Sequence, residues 1–499
     1  MNAQENIRSL PPSQDIWWTF VNVALVLMGT ILLGLSIALG IFPSFRLSIV
    51  VLLVASGSFL LIKGRGSRDL LHPVRVFGAL WCFCLGLANM RLVPIISSWG
   101  YLTWCCFLTG LASFIGGFWL ADRFSRPRDN SRGPGREDEA PATSVLTDRK
   151  ALIVAWLSVA VGTAVLAYEF HLIGTIPILA DNPDEARLRL FGFAGIVDPQ
   201  FDKLYIKLLH PLVDFIKYGI FLAVIVLCQR TPKNRNVMAL TVLLIVFGTL
   251  MLTSQGGRGF FVEIAVTSIV LFHYLRRHVR LIELVLLCLA LFLMLGFFGS
   301  MRAKASGSAP FLERAMSQSS LPEGEFWDGI AFGYAAVTVS FEVFHRLTDD
   351  LGTTKRPGFL FYSFHRLFPR SNLQLFDEDL YTAEMITPTY LGEFYGDYGY
   401  WGVFFGSLVL GFGYGYAYLR GEAQNRIYWI YVRALLIQML ILFPYYNDFS
   451  YHLTWIWDLL FMYFLIHYLI GNRQAAFQLR FARSRGASPG AAVGSESGI

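Results

Sequence analysis

Runs of apolar residues long enough to cross a bilayer as helices alternate along this chain with short polar breaks. They fall at 16–39, 46–62, 75–91, 101–121, 151–170, 209–228, 237–253, 260–275, 282–300, 396–418, 427–444 and 453–470. A helix rising 1.5 Å per residue needs about 20 such residues to cross the hydrocarbon core, so the pattern predicts an all-α polytopic protein with about 12 crossings. The first 15 residues are polar and lack the layout of a cleaved leader, so the first run is expected to stay as a helix.

The polar breaks are unequal, and they divide the chain. A four-helix front part (1–121) is followed by a stretch rich in Pro, Gly, Ser and mixed charge (122–150), expected to be a disordered linker. Then come a core with one long loop (151–300, loop 169–210), a second long loop (301–395), the last spans (396–470) and a small polar tail (471–499). Residues 326–347 are apolar but interrupted by Asp328, Glu342, His345 and Arg346. An interfacial or re-entrant helix suits them better than a crossing.

Composition agrees with the pattern: 55% of residues are hydrophobic and 15% charged, with a mean hydropathy of +0.51. The net charge of +6 is too small to indicate nucleic acid, and its cations cluster in the short breaks. With the amino terminus in the cytoplasm, Lys63, Arg65, Arg68 and Arg75, the linker arginines, Arg276, Arg277 and Arg280, Arg420 and Arg426, and the tail arginines all fall inside. Both termini are then cytoplasmic and both long loops face outward. The six cysteines lie in or beside spans and read as small packing residues.

The outward loops nevertheless carry Arg187, Arg189, Arg258, Arg302, Arg314, Arg346, Arg356, Arg366 and Arg370. Taken singly, each is explained by loop length or by snorkelling from a helix end. As a set, guanidinium forks converging from several loops suit a diphosphate or an acidic glycan. Arg258 sits between glycines that allow close backbone approach to an anion.

Glu393 and Asp397, four apart, share a face if their segment is helical, and either could serve as a base; solvation at the membrane surface is the plainer reading. His365 and His452 are alternative bases on the same side. Tyr390, Tyr395, Tyr398 and Tyr400 suit sugar stacking or interfacial anchoring. Gly402 with Gly406 and Gly411 with Gly415 are spaced for close helix packing or for a lipid groove. No spacing of His, Asp or Glu resembles a metal site, and there is no phosphate-binding loop or dinucleotide fingerprint. No cofactor, metal or nucleic acid is expected.

Gly174-Thr175-Ile176-Pro177-Ile178-Leu179 followed by Glu185-Ala186-Arg187, then Ser254 through Gly259, Phe368-Pro369-Arg370, and Pro388-Thr389 through Gly402 resemble, in order, segments of the bacterial O-antigen polymerase family. The resemblance covers roughly residues 150–470. It implies a GT-C-like inner-membrane glycosyltransferase that joins undecaprenyl-diphosphate-linked repeat units on the periplasmic face and releases undecaprenyl diphosphate. Arg187, Arg258 and Arg370, then Arg189 and Arg302, would bind the diphosphate or glycan with Tyr395, and Glu393, Asp397 or His365 would act as base. Its partners would be the lipid-linked donor and acceptor and membrane lipids, with a chain-length regulator left open. A ligase of the same architecture and a glycolipid flippase are the competing readings. A flippase predicts a two-fold helix repeat, which the sequence does not show.

Overall fold

The computed structural model describes residues 52, 54–57, 59, 69–93, 96–125, 148–191, 209–229, 235–257, 259–306, 324–351, 388–424, 426–445 and 454–470. The runs at 16–39 and most of 46–62, the linker between 126 and 147, and the tail lie outside these residues. Among the described residues the fold is all helical, without strands.

The helices are α1 (Pro73–Asn89), α2 (Tyr101–Ser125), α3 (Asp148–Ile173), α4 (Pro183–Phe191), α5 (Phe215–Gln229), α6 (Arg235–Thr253), α7 (Gly259–Leu275), α8 (Leu281–Ser306), α9 (Glu325–Leu351), α10 (Leu391–Gln424), α11 (Ile427–Leu442) and α12 (Thr454–Phe464). Among the described residues six stretches are long and apolar enough to cross a membrane: Tyr101–Ser125, Arg149–Ile173, His210–Gln229, Arg235–Thr253, Leu281–Met301 and Leu391–Glu422. Four shorter apolar helices, Pro73–Asn89, Gly259–Leu275, Ile427–Leu442 and Trp455–Leu469, accompany them. The protein is embedded in a membrane, and its lipid face is visible in the side chains. Leu240, Leu243, Val246 and Leu250 of α6 and Ile282, Val285, Leu286 and Leu289 of α8 are exposed, as a surface bathed in hydrocarbon requires.

Two cores organise the bundle. One is built from α3, α5, α6, α7, α11 and α12, around Ile216, Ile220, Phe221, Leu244, Leu271 and Ile437. The other is built from α1, α2, α9, α10 and α11, around Trp81, Phe107, Phe341, Tyr390 and Phe443. At one end, here called lower, Asp69 precedes α1 and receives hydrogen bonds from Tyr418 (2.7 Å) and Tyr274 (2.9 Å), with His273 Nε2 at 2.8 Å. Arg433 lies 3.7 Å from the same carboxylate and donates to Tyr418 at 3.0 Å. This knot ties α1, α7, α10 and α11 together at a single carboxylate. Its side chains are largely buried, and a buried charge is tolerated only when paired and hydrogen-bonded.

From that end α1 rises and α2 descends. α10 runs parallel to α2: Tyr400 bonds Thr109 at 2.7 Å, and Gly411 and Gly415 meet Phe114 and Phe118 further down. α8 also starts at the lower end, since His278, just before it, contacts His273 at 3.0 Å. The chain therefore reaches the upper end through α8 and leaves it through α10, so α9 between them makes no net crossing. Its first turn meets α8 through Phe326 and Phe297. Its last turns are fastened to the 91–103 connection. Glu342 accepts from Ser97 N (3.1 Å), Ser97 Oγ (3.0 Å), Trp99 Nε1 (3.1 Å) and Arg346 Nε (3.1 Å), and His345 Nδ1 lies 3.0 Å from Thr103 Oγ1. The charges that interrupt this apolar run are the bolts that hold it across the upper end.

The glycines of α10 act in packing. Gly399 (φ 63°) bends the chain where an L side chain would be strained, and it lets Phe394 fold back onto Gly402 and Gly406. Gly411 lies against the Phe114 carbonyl of α2, where a Cβ has no room, whereas a Cβ at Gly413 meets nothing. Gly411→Ala is expected to destabilise the purified protein by about 1–3 kcal/mol through backbone overpacking. Gly413→Ala should stabilise it by up to about 1 kcal/mol through helix propensity. Thermal melting in detergent checks both; equal shifts would refute the close α2–α10 approach.

Candidate active site at the upper end

The first long loop is shaped locally by three signals. Gly174 (φ 75°) closes α3 with its N–H on the Phe170 carbonyl at 3.0 Å. Pro177 then opens a short 3₁₀ turn, Pro177–Leu179. Asn182 Oδ1 accepts the Glu185 N–H at 3.1 Å and caps α4, which begins with Pro183.

That 3₁₀ turn docks on the turn after α6. Ile178 N donates to the Ser254 carbonyl at 3.2 Å, and Pro177 packs beside Gly256, whose φ of 73° turns the chain towards α7. Two segments about 75 residues apart in sequence, both singled out for their arginines, thus meet through backbone. α4, which carries Arg187 and Arg189, packs against α3 and α8, and Arg302 lies in the last turns of α8. Arg189 is exposed and paired with Glu185 at 2.5 Å, an arrangement worth little by itself and easily exchanged for another anion. Arg258, Arg370 and His365 lie outside the described residues.

The two ends of the same loop are tied by Glu169, at the top of α3, and His210, whose Nδ1 is 2.9 Å from Glu169 Oε1. One turn further on, at the head of α5, the chain places a group that the sequence reading passed over. Lys217 Nζ lies 2.8 Å from Asp458, 3.1 Å from Glu263 and 3.5 Å from Asp214. Tyr218 donates to the same Asp458 at 2.6 Å. Lys217 and Asp458 are 4% exposed at the side chain, while Glu263 (17%) and Asp214 (21%) form the accessible rim. α5, α7 and α12 each contribute one or two of these groups, so the cluster exists only in the folded bundle. Its signal in the sequence is the charged residue inside each of three apolar runs, which at membrane depth marks a functional position by default.

Glu393, Tyr395 and Asp397 are helical and buried at the head of α10, with the two carboxylates on one helical face four residues apart. Tyr395 stacks edge-on to Phe344 of α9. Tyr395 belongs to the core of α1, α2, α9, α10 and α11, whereas the Lys217 cluster is carried by α5, α7 and α12, helices of the other core, and Leu190 of α4 packs separately against Phe170, Leu172 and Ile173 at the end of α3. The structure therefore groups the sequence candidates differently from their order in the chain.

Compared with known proteins, the chain matches no family model, no curated protein and no solved structure.

Proposed function

We propose that this chain is a membrane polymerase that joins polyprenyl-diphosphate-linked oligosaccharide repeat units, with the upper end facing the periplasm of a bacterial inner membrane. The observation that carries the reading is the docking of Pro177–Leu179 on the Ser254–Gly257 turn. It sets the 3₁₀ turn that leads into the helix of Arg187 and Arg189 on the turn that leads into Arg258, and α8, whose last turns include Arg302, packs against that helix. Cations carried by separate segments that lead to one end of the bundle suit a leaving diphosphate, whose charge they would neutralise without a metal. The lipid portion of such a substrate has the exposed apolar faces of α6 and α8 to run along. Placing this end outside the cell follows from the cationic breaks at the opposite end.

The reading is tested with the surface-polysaccharide ladder of a deletion strain complemented by wild type or by Arg258→Ala at matched expression. The deletion is expected to leave single-repeat glycans, and Arg258→Ala to lower polymer by about 10²-fold or more, the scale of losing one charge-stabilising donor. Lipid-linked polymer that accumulates without reaching the surface would identify a ligase instead. Single units trapped on the cytoplasmic side would identify a flippase.

A further inference from the structure

The Lys217 cluster has a composition that structural pairing alone does not require. One ammonium group faces three carboxylates, so the fully ionised set carries two uncompensated negative charges. A pair is what burial needs; surplus carboxylates are costly where water is scarce. A second, independent feature accompanies it. The hydroxyl of Tyr431 on α11 is fully buried, has no hydrogen-bond partner among the described residues, and lies within electrostatic reach of Asp458, Lys217, Glu263 and Asp214. A buried donor without a protein partner leaves a hydrogen bond for a ligand oxygen or a water.

Glu263 stands apart within the cluster by position. It lies one turn into α7, the helix that starts at Gly259 just after the Ser254–Gly257 turn. That turn is the one on which the first loop docks. Lys217 at 3.1 Å fixes the Glu263 carboxylate while leaving part of it accessible from the rim. Asp458, by contrast, is buried and held by both Lys217 and Tyr218.

We propose that Glu263 is the general base of the transfer reaction, with Lys217, Asp214 and Asp458 as positioning residues; this rests on the polymerase reading above. The acceptor hydroxyl oxygen bonds to the anomeric carbon of the donor sugar as the bond from that carbon to the diphosphate oxygen breaks. The hydroxyl proton passes to the Glu263 carboxylate, and the electron pair of the broken bond leaves on the diphosphate, which the arginines receive. Proton uptake brings the cluster from two excess negative charges to one, so the step relieves a charge imbalance that the fold has built in.

The test uses proteoliposomes holding the full chain and, as donor and acceptor, the lipid-linked single repeat units that accumulate in the deletion strain. Polymer from the wild type is the precondition, and its absence overturns the polymerase reading before any variant is compared. Glu263→Gln is expected to lower kcat by 10²-fold or more with KM changed less than threefold, the range of a lost general base. Asp214→Asn, which removes another Lys217 partner, should lower kcat less than tenfold. Elongation by Glu263→Gln within threefold of wild type overturns the assignment, and so do equal losses in both variants. Should Glu263→Gln fail to elute as a folded species, Glu263→Asp carries the test: a tenfold fall in kcat at unchanged KM supports the base, and a wild-type kcat overturns it.

Discussion

Lys217→Met is expected to cost about 3–5 kcal/mol of stability, the penalty of removing one partner from a buried ionic group. The argument starts from the charge count. Lys217 is the cation within 4 Å of Asp214, Glu263 and Asp458, and its side chain is almost fully buried. Methionine fills much the same volume, so the packing around Ile216 and Ile220 survives and the electrostatic loss is isolated. Among the described residues, three carboxylates then share a low-dielectric space with Tyr218 donating to one of them, Asp458. Either they take up protons or the heads of α5, α7 and α12 separate; both lower the melting temperature measured in detergent. The double variant Lys217→Met/Asp458→Asn should melt above the single one, because it removes the most deeply buried of the orphaned charges. Arg189→Met, by contrast, breaks an exposed pair and should fall within about 0.5 kcal/mol of wild type. A Lys217→Met protein as stable as wild type would mean that the cluster is not closed in the membrane-embedded state.

The helices were legible because apolar runs register directly, although of the three that follow only Arg235–Thr253 is long and apolar enough to cross a membrane. The stretch 75–91 is α1 at Pro73–Asn89, 237–253 is α6 at Arg235–Thr253, and 427–444 is α11 at Ile427–Leu442. The ends drifted where polar residues continue a helix: α2 runs to Ser125 and α3 begins at Asp148, so 122–125 and 148–150 are helical where a linker was expected. α10 begins at Leu391 rather than 396, because a turn of helix precedes the bend at Gly399. The charges within 326–347 keep this helix out of the stretches apolar enough to cross a membrane, and their use as bolts to Ser97, Trp99 and Thr103 depends on partners some 240 residues away. The cluster around Lys217 was illegible for the same reason. Asp458 and Lys217 are 241 residues apart, and period and composition say nothing about which helices become neighbours. The backbone contact between the turns at 177 and 254 was out of reach for the same reason, since it joins segments about 75 residues apart.

Acidification from pH 6.5 towards 4 is expected to remove about 3 kcal/mol of stability through one side chain at the lower end, His72. This residue caps the start of α1 and packs edge-on against Phe118 (5.0 Å) and Tyr418 (5.5 Å). Burial disfavours its imidazolium. Asp69 works in the opposite direction, as does Asp122 more weakly, while Arg75 and Arg433 add to the effect of burial; the balance pushes the ring from 6.5 down to about 4. Because the folded value lies below the unfolded one, the unfolded chain binds a proton between these pH values that the folded chain refuses. Stability then rises with pH across the window: the contribution is complete above about 6.5 and gone below about 4. His278, also pushed down by burial and by His273, adds in the same sense. Asp69 does not compete in this window. Burial opposes its ionisation, but the hydrogen bonds from His273 and Tyr418 outweigh that and hold its carboxyl well below the usual carboxylate range, so its own contribution is lost only at pH values below 3.8. His72→Phe keeps both ring contacts and removes the titration. Melting temperatures at pH 7, 5.5 and 4.5 should therefore fall steeply for wild type and much less for His72→Phe. Parallel curves for the two proteins would show that the acid sensitivity lies elsewhere and that His72 stays accessible to protons in the folded bundle.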